Sequence, residues 1–231
     1  MRASAVSVLV RALVVAATLA GTLVGTSACG GTAVLSMRPA PRAFTPEDYD
    51  RLYAAWTRDE NGFELSKLQD TLHVSATFQS WEHRWAYIVR YASDYSLDTA
   101  ERTELLRASL ADAETTHRFF VTIAGHDWRE SDLTSERAAW RVVLVDDRGA
   151  TIAPTELVRV PRPGANERGY YHITPFRQAF RLAFPARRPD GSSTIAPDAH
   201  RITLRFTGPE GTVDLVWELE PTEPAPRVIG R

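Results

Sequence analysis

The strongest constraint on the fold lies near the C-terminus, where two alternating segments flank a short turn. Residues 201–207 (RITLRFT) and 212–220 (TVDLVWELE) alternate apolar and polar side chains around Gly208-Pro209-Glu210-Gly211. A four-residue loop sets Thr207 opposite Thr212 and predicts an antiparallel hairpin. That register makes charge pairs on one face and apolar pairs on the other: Arg205–Asp214, Arg201–Glu218, Phe206–Val213, Leu204–Leu215 and Ile202–Trp217. Because these arginines already have partners, we expect them to be structural.

Five further segments show strand-like alternation or short apolar runs. They are residues 71–80, 117–125, 139–147, 150–160 and 176–184. With the hairpin they make seven strands separated by turn signals, which predicts a mainly β fold, an immunoglobulin-like β-sandwich. The chain has one cysteine and therefore no Cys–Trp–Cys spacing, so the immunoglobulin-like label rests on the number of strands.

Residues 45–60 show helical spacing and helix-start chemistry. Thr45 is a candidate N-cap, Pro46 takes the first helical position, and Asn61-Gly62 is expected to end the helix. This segment predicts a short N-terminal helix with one buried face.

Residues 80–116 predict a helical hairpin inserted between strands. Asp98 is the expected N-cap of its second helix. The apolar face expected for that helix is Leu105, Leu106, Leu110 and Ala113.

The first helix of this hairpin is rich in aromatic residues: Trp81, Trp85, Tyr87, Tyr91 and Tyr95. One interpretation is a platform that binds glycan or peptidoglycan. The other is packing against the sandwich, which the helical spacing of Trp81, Trp85, Ile88 and Tyr95 on one stripe favours.

The N-terminus has the composition of a secretory signal peptide, which we assign to residues 1–28. Arg2 and Arg11 provide a basic start, and the 14 residues 12–25 are uncharged and largely apolar. That run is shorter than the roughly 20 residues of a membrane-spanning helix.

Cys29, the only cysteine, directly follows Ser27 and Ala28. The segment resembles a bacterial lipoprotein signal, although Thr26 occupies the position where leucine is usual. The resemblance implies cleavage before Cys29 and attachment of lipid to this residue. Gly30, in place of an aspartate, implies the outer membrane, facing the periplasm or the cell surface. Two other interpretations stay open: an ordinary cleaved signal, or an uncleaved anchor.

After the signal peptide we expect three parts. Residues 29–44 contain glycine, proline and small residues without a period and predict a flexible tether. Residues 45–221 make the sandwich domain, with the helical insertion near 80–116. Residues 222–231 are rich in proline and predict a loose tail.

Charge is distributed unevenly along the chain. Residues 148–205 hold ten arginines against four acids, whereas residues 47–147 hold 20 acids against 11 basic residues. Mutual attraction between these halves is one explanation. The other is a basic patch that meets an anionic surface or an envelope protein, formed by Arg159, Arg162, Arg168, Arg177 and Arg181. The formal net charge of −2 gives no argument for nucleic-acid binding.

The densest polar cluster is the loop that contains His126, Asp127, Glu130 and Asp132. The chain has no HExxH motif, no GxSxG motif and no glycine-rich phosphate loop before a helix, so we predict no metal or cofactor. We therefore expect a lipid-anchored, non-catalytic binding or assembly module of the cell envelope. The alternative is an envelope hydrolase with its site near His126 and Asp127.

Overall fold

The computed structural model describes residues 34–64 and 69–222, and in them ten strands and four helices. The strands are β1 (Leu35–Ser36), β2 (Thr57–Glu64), β3 (Gln69–Phe78), β4 (Thr116–Gly125), β5 (Arg141–Val145), β6 (Thr151–Ile152), β7 (Glu156–Val160), β8 (Gln178–Pro185), β9 (Arg201–Gly208) and β10 (Gly211–Glu220). The helices are α1 (Asp48–Trp56), α2 (Trp81–Asp94), α3 (Thr99–Thr115) and α4 (Ala165–Tyr170). The predicted signal peptide, Cys29 and nearly all of the predicted tail lie outside the described residues.

The strands form two five-stranded sheets that contribute to one principal hydrophobic core. The first sheet has the order β1-β10-β9-β5-β6, and the second has the order β2-β3-β4-β8-β7. Buried residues of both sheets meet in the core, including Phe119 and Phe180 from the second sheet and Leu204 and Trp217 from the first. The fold is therefore mixed α/β, with two sheets and helices. None of the described helices is both long and apolar enough to cross a membrane.

The C-terminal hairpin has the predicted register. Thr207 lies opposite Thr212, and every other predicted pair is also in place. The guanidinium of Arg205 donates to both carboxylate oxygens of Asp214, at 2.7 and 2.6 Å. Trp217 is fully buried on the opposite face. The predicted register is confirmed. Burial of the apolar row explains why the register is fixed, because a slip by one residue would expose the whole row.

The predicted strand 150–160 is instead two strands in different sheets. β6 pairs with β5 in the first sheet, whereas β7 pairs with β8 in the second. Pro154 lies between them and has no amide hydrogen to donate to a ladder. The amide of Thr155 donates to the carbonyl of Ala183 at 2.8 Å, so pairing with the second sheet begins directly after the proline.

The N-terminal helix is shorter than predicted. α1 ends at Trp56, and β2 begins at Thr57 and pairs antiparallel with β3. Asn61-Gly62, expected to end the helix, lies within β2, where the register shifts directly after Gly62. Pairing with β3 thus overrides the local helical spacing. Thr45 is not an N-cap acceptor, because its amide and hydroxyl both donate to Asp48.

The helical hairpin is present as α2 and α3 between β3 and β4. Asp98 accepts a hydrogen bond from the amide of Glu101, and the Glu101 side chain accepts one from the amide of Asp98, which completes a capping box. The predicted apolar face of α3 is only partly buried. Leu110 is buried, whereas Leu105 is 40% exposed.

Part of the predicted tether belongs to a sheet. Leu35 and Ser36 form β1, which pairs parallel with Leu219 and Glu220 of β10. Leu35 is buried in the principal core, and this burial accounts for the strand in a segment without alternation.

Candidate functional site

One face of α2 and its C-cap carry four aromatic rings at intervals of four residues: His83, Tyr87 and Tyr91 in the helix and Tyr95 at the cap. The centroids of successive rings are 6.5, 6.0 and 4.5 Å apart, and successive planes differ by 16, 21 and 29°. Because residues i and i+4 lie on the same helix face, the rings form one near-parallel row. The aromatic composition of this helix indicated the three tyrosines but not His83. The four-residue spacing of His83 from Tyr87 in the sequence could have placed it in the same row.

All seven tyrosines of the chain belong to one network of ring contacts, the tyrosine cluster. α1 contributes Tyr49 and Tyr53, and the end of α4 contributes Tyr170 and Tyr171. Tyr171 stacks on Phe120 of β4, with centroids 4.1 Å apart and planes 18° apart. The cluster therefore joins three helices to the face of the second sheet that is turned away from the principal core.

Tyrosine hydroxyls hold the end of α4 in place. Tyr49 donates to the carbonyl of Tyr170 at 2.7 Å, and Tyr53 donates to the carbonyl of Tyr171 at 3.1 Å. The Tyr170 hydroxyl donates to Asp94 of α2 at 2.8 Å. These bonds fix the two neighbouring rings relative to α1 and α2.

A half-open cleft of about 400 Å³ lies between α2, the start of α4 and the second sheet. Its volume is within the range of about 300–1,000 Å³ that is usual for small-molecule sites. Its lining includes aromatic and hydrogen-bonding side chains: Gln79, His83, Tyr87, Asn166, Tyr171 and Arg181. Aromatic and polar groups thus meet in one concave place, which makes it the best candidate site in the described part of the chain.

His83 is fully buried beside this cleft. Neither ring nitrogen has a hydrogen-bond partner among the described residues. Burial, with a smaller effect of Arg84, lowers the pKa of His83 to about 3, so the imidazole is neutral at physiological pH. A neutral imidazole has one donor and one acceptor. Leaving a buried polar group unpaired costs about 1–3 kcal/mol.

The rings of His83, Tyr87 and Tyr171 have a common orientation. His83 and Tyr171 are 6.2 Å apart with planes at 30°, and Tyr87 and Tyr171 are 6.4 Å apart with planes at 26°. Burial raises the pKa of Tyr87 to about 12, so its hydroxyl keeps its proton. Gln79 donates to the Tyr171 hydroxyl at 2.7 Å. The cleft therefore combines near-parallel rings with neutral hydrogen-bonding groups.

The two arginines of the cleft are neutralised by acids. Arg84 lies 2.7 Å from Asp112, and it also donates to the carbonyls of Gln79 and Ser109. Arg181 lies 2.5 Å from Glu167. The arginine charges in the lining are thus matched by carboxylates of the same protein.

The polar side chains of the predicted loop lie at the surface or in local pairs. His126, Asp127 and Glu130 are exposed. Asp127 accepts hydrogen bonds from the amides of Arg129 and Glu130 at 2.6 and 3.2 Å, which lower its pKa. Asp132 pairs with Arg159 at 2.9 Å. These side chains stabilise local turns, and the described residues contain no cluster of three or more metal-ligating side chains.

Several arginines of the predicted basic patch have partners within the protein. Arg159 and Arg181 pair with Asp132 and Glu167, as described above. Arg177 contacts the ring of His73 at 2.6 Å, and Arg168 donates to the carbonyl of Pro163. These contacts agree with attraction inside the molecule as a use for the positive charge.

No protein-family model matches this chain, and a search of curated proteins also found no match.

Proposed function

We propose that the chain is a non-catalytic binding module of the bacterial cell envelope and that its ligand occupies the cleft beside His83. The observation that carries this proposal is the fully buried imidazole without a partner. Buried polar groups are nearly always hydrogen-bonded, so such a group requires an explanation. His83 has no exposed surface, so a ligand that shifts the side chains covering it and bonds to its imidazole would recover the cost of burying it.

A binding role also has the support of the cleft's construction. The hydroxyls of Tyr49 and Tyr53 hold the backbone that carries Tyr171, and Gln79 donates to the Tyr171 hydroxyl, so little ordering of this ring is needed when a ligand enters. The hydrolase alternative needed His126, Asp127 and Glu130 to converge in a pocket. Their exposure and their use in local turns remove the geometric support for that alternative.

We propose further that Cys29 carries a lipid that holds the module at the outer membrane, facing the periplasm or the cell surface. The support is the resemblance of residues 26–29 to a lipoprotein signal. Each buried methylene of an acyl chain contributes about 0.8 kcal/mol to membrane affinity, so the lipid would supply the attachment.

For the architecture we propose an immunoglobulin-like sandwich. The two sheets, antiparallel apart from the parallel pairing of β1 with β10, share one core, and residues of both contribute to it. An experimental structure tests this proposal. Strand connections that depart from the Greek-key pattern would contradict the immunoglobulin-like part of it.

Ligand capture tests the binding proposal. The chain from residue 29, with Cys29→Ser, is incubated with an envelope extract, and bound small molecules are identified by mass spectrometry. We expect one retained species, lost with Tyr87→Ala, since this ring lines the cleft. The matched control is Trp85→Ala, which removes a ring of the same helix that is not part of the lining. Equal retention by both variants would contradict a site in the cleft.

Metabolic labelling with a fatty-acid analogue tests the anchor. We expect the full chain to be labelled and Cys29→Ser to be unlabelled, with Ser27→Ala labelled as the control. Fatty-acid label that persists on the Cys29→Ser variant would contradict the anchoring proposal.

A further inference from the structure

We infer that the cleft takes a neutral sugar ring, which packs against the half-buried rings of Tyr87 and Tyr171, bonds to the hydroxyl of Tyr87 and, once the side chains that cover it shift, bonds to the imidazole of His83. This inference rests on the proposed binding function and adds the chemical class of the ligand. Three independent properties of the cleft support it: ring geometry, charge and hydrogen-bonding capacity.

The ring geometry favours a ligand with a flat apolar face. His83, Tyr87 and Tyr171 have planes within 30° of one another. The faces of aromatic rings carry partial negative charge, so they attract the slightly positive C–H groups on the face of a sugar ring. A common ring orientation lets one ligand plane meet more than one aromatic side chain.

The charge of the cleft disfavours ions. Arg84 is paired with Asp112, and Arg181 is paired with Glu167. An anionic ligand would have to compete with these carboxylates, and a cationic ligand would have to approach two guanidinium groups. A neutral ligand avoids both costs.

The hydrogen-bonding groups fit a polyol. The neutral imidazole of His83 offers one donor and one acceptor, and the protonated Tyr87 hydroxyl offers both functions. Gln79 and Asn166 add planar amide groups to the same lining. Sugar hydroxyls both donate and accept, so they satisfy such a mixed set better than a purely accepting or purely donating ligand.

Titration by nuclear magnetic resonance tests the inference on the chain from residue 29 with Cys29→Ser. The probes are the neutral disaccharides cellobiose, maltose and chitobiose, with glucuronate and glucosamine as charged comparisons. We expect saturable binding of at least one neutral disaccharide, with a shift of the His83 ring nitrogens. Neither charged sugar should bind more tightly than that neutral probe.

Three variants locate the site. Tyr87→Ala is expected to weaken binding more than about 10-fold, because both the ring and the hydroxyl are lost. Tyr87→Phe is expected to weaken it about 5-fold, the value of one neutral hydrogen bond. Trp85→Ala, on the same helix, should leave the affinity unchanged. Thermal unfolding of each variant confirms that it is folded before it is titrated.

The outcomes separate the ligand class from the site. If a charged sugar binds more tightly and depends on Tyr87, or if no sugar binds while the envelope ligand still requires Tyr87, the class is wrong and the cleft stands. If neutral sugars bind equally well to Tyr87→Ala, both the ligand class at this site and the binding proposal lose their support. Both proposals also lose their support if neither the sugars nor any envelope ligand binds to the protein.

Discussion

The guanidinium of Arg84 lies 2.7 Å from the carboxylate of Asp112, with only 7% of the arginine side chain exposed. The pair joins the first turn of α2 to the last turns of α3. Arg84 also donates to the carbonyls of Gln79 before α2, Ser109 in α3 and Thr116 of β4, so one side chain joins the helical hairpin to the second sheet.

Replacing this arginine should destabilise the protein strongly. We expect Arg84→Met to lower the free energy of unfolding by about 2–4 kcal/mol, since buried carbonyls lose their donor. Asp112 keeps Arg118 as a partner, which limits the loss. The control is Arg107→Met, whose fully exposed pair with Glu104 should contribute little to stability. Urea unfolding measures both values, and similar losses for the two variants would contradict this role for Arg84.

Stability should fall in weak acid. Burial lowers the pKa of His83 to about 3 and that of His117 to about 4, whereas both protonate near 6.5 when unfolded. Below pH 6.5 the unfolded state therefore binds more protons, and stability decreases as the pH falls from 6.5 towards 4. Two such groups give a slope of at most about 2.7 kcal/mol per pH unit. Urea midpoints at pH 7, 6 and 5 measure it. His117→Gln should reduce the slope by about half, and equal midpoints at all three pH values would refute the assignment.

The buried face of the C-terminal hairpin should be sensitive to truncation. Trp217 has no exposed surface, and its indole N–H donates to the carbonyl of Trp56 at 2.8 Å. We expect Trp217→Ala to cost about 3–5 kcal/mol. The exposed Thr212→Ala on the same strand should change stability by no more than about 0.5 kcal/mol. Thermal unfolding compares them, and a small effect at Trp217 would be inconsistent with a core shared by the two sheets.

Two glycines should respond to alanine in opposite directions. A Cβ atom on Gly208 would lie 2.1 Å from the backbone carbonyl oxygen of Ala139, so Gly208→Ala should cost about 1–3 kcal/mol. A Cβ atom on Gly169, inside α4, would meet no atom within 4 Å, so Gly169→Ala should add about 0.5–1 kcal/mol. Chemical denaturation measures both signs. Stabilisation at Gly208 would show that the strand end can move away from Ala139.

Local patterns predicted those elements whose neighbours in space are also neighbours in sequence. The register of the C-terminal hairpin joins residues no more than 17 positions apart, and the cap at Asp98 joins residues three positions apart. The prediction of one strand over residues 150–160 was wrong because the two halves of this segment pair with different sheets, which a local alternation does not encode. The exchange of helix for strand at Thr57 has the same origin, since β3 decides it.

The candidate cleft was not predictable in this way. Its lining combines His83 and Tyr87 of α2 with Tyr171, which follows them by more than eighty positions in the sequence. The tyrosines of α2 were visible as a row, but their partners came from the packing of α4 on the second sheet. Conversely, His126, Asp127 and Glu130 are close in sequence, yet their side chains do not converge.

The pairing of β1 with β10 has a consequence for self-association. β10 lies next to last in its sheet, and the described residues of β1 pair with its Leu219 and Glu220. Further along the strand, Arg58 donates to the carbonyl of Val216 at 2.8 Å and lies over the ring of Trp217. A short covering strand and an inward-reaching charge are two devices by which proteins keep a sheet edge from recruiting another copy. Such an edge would help each copy of the protein to stay separate from its neighbours at high concentration.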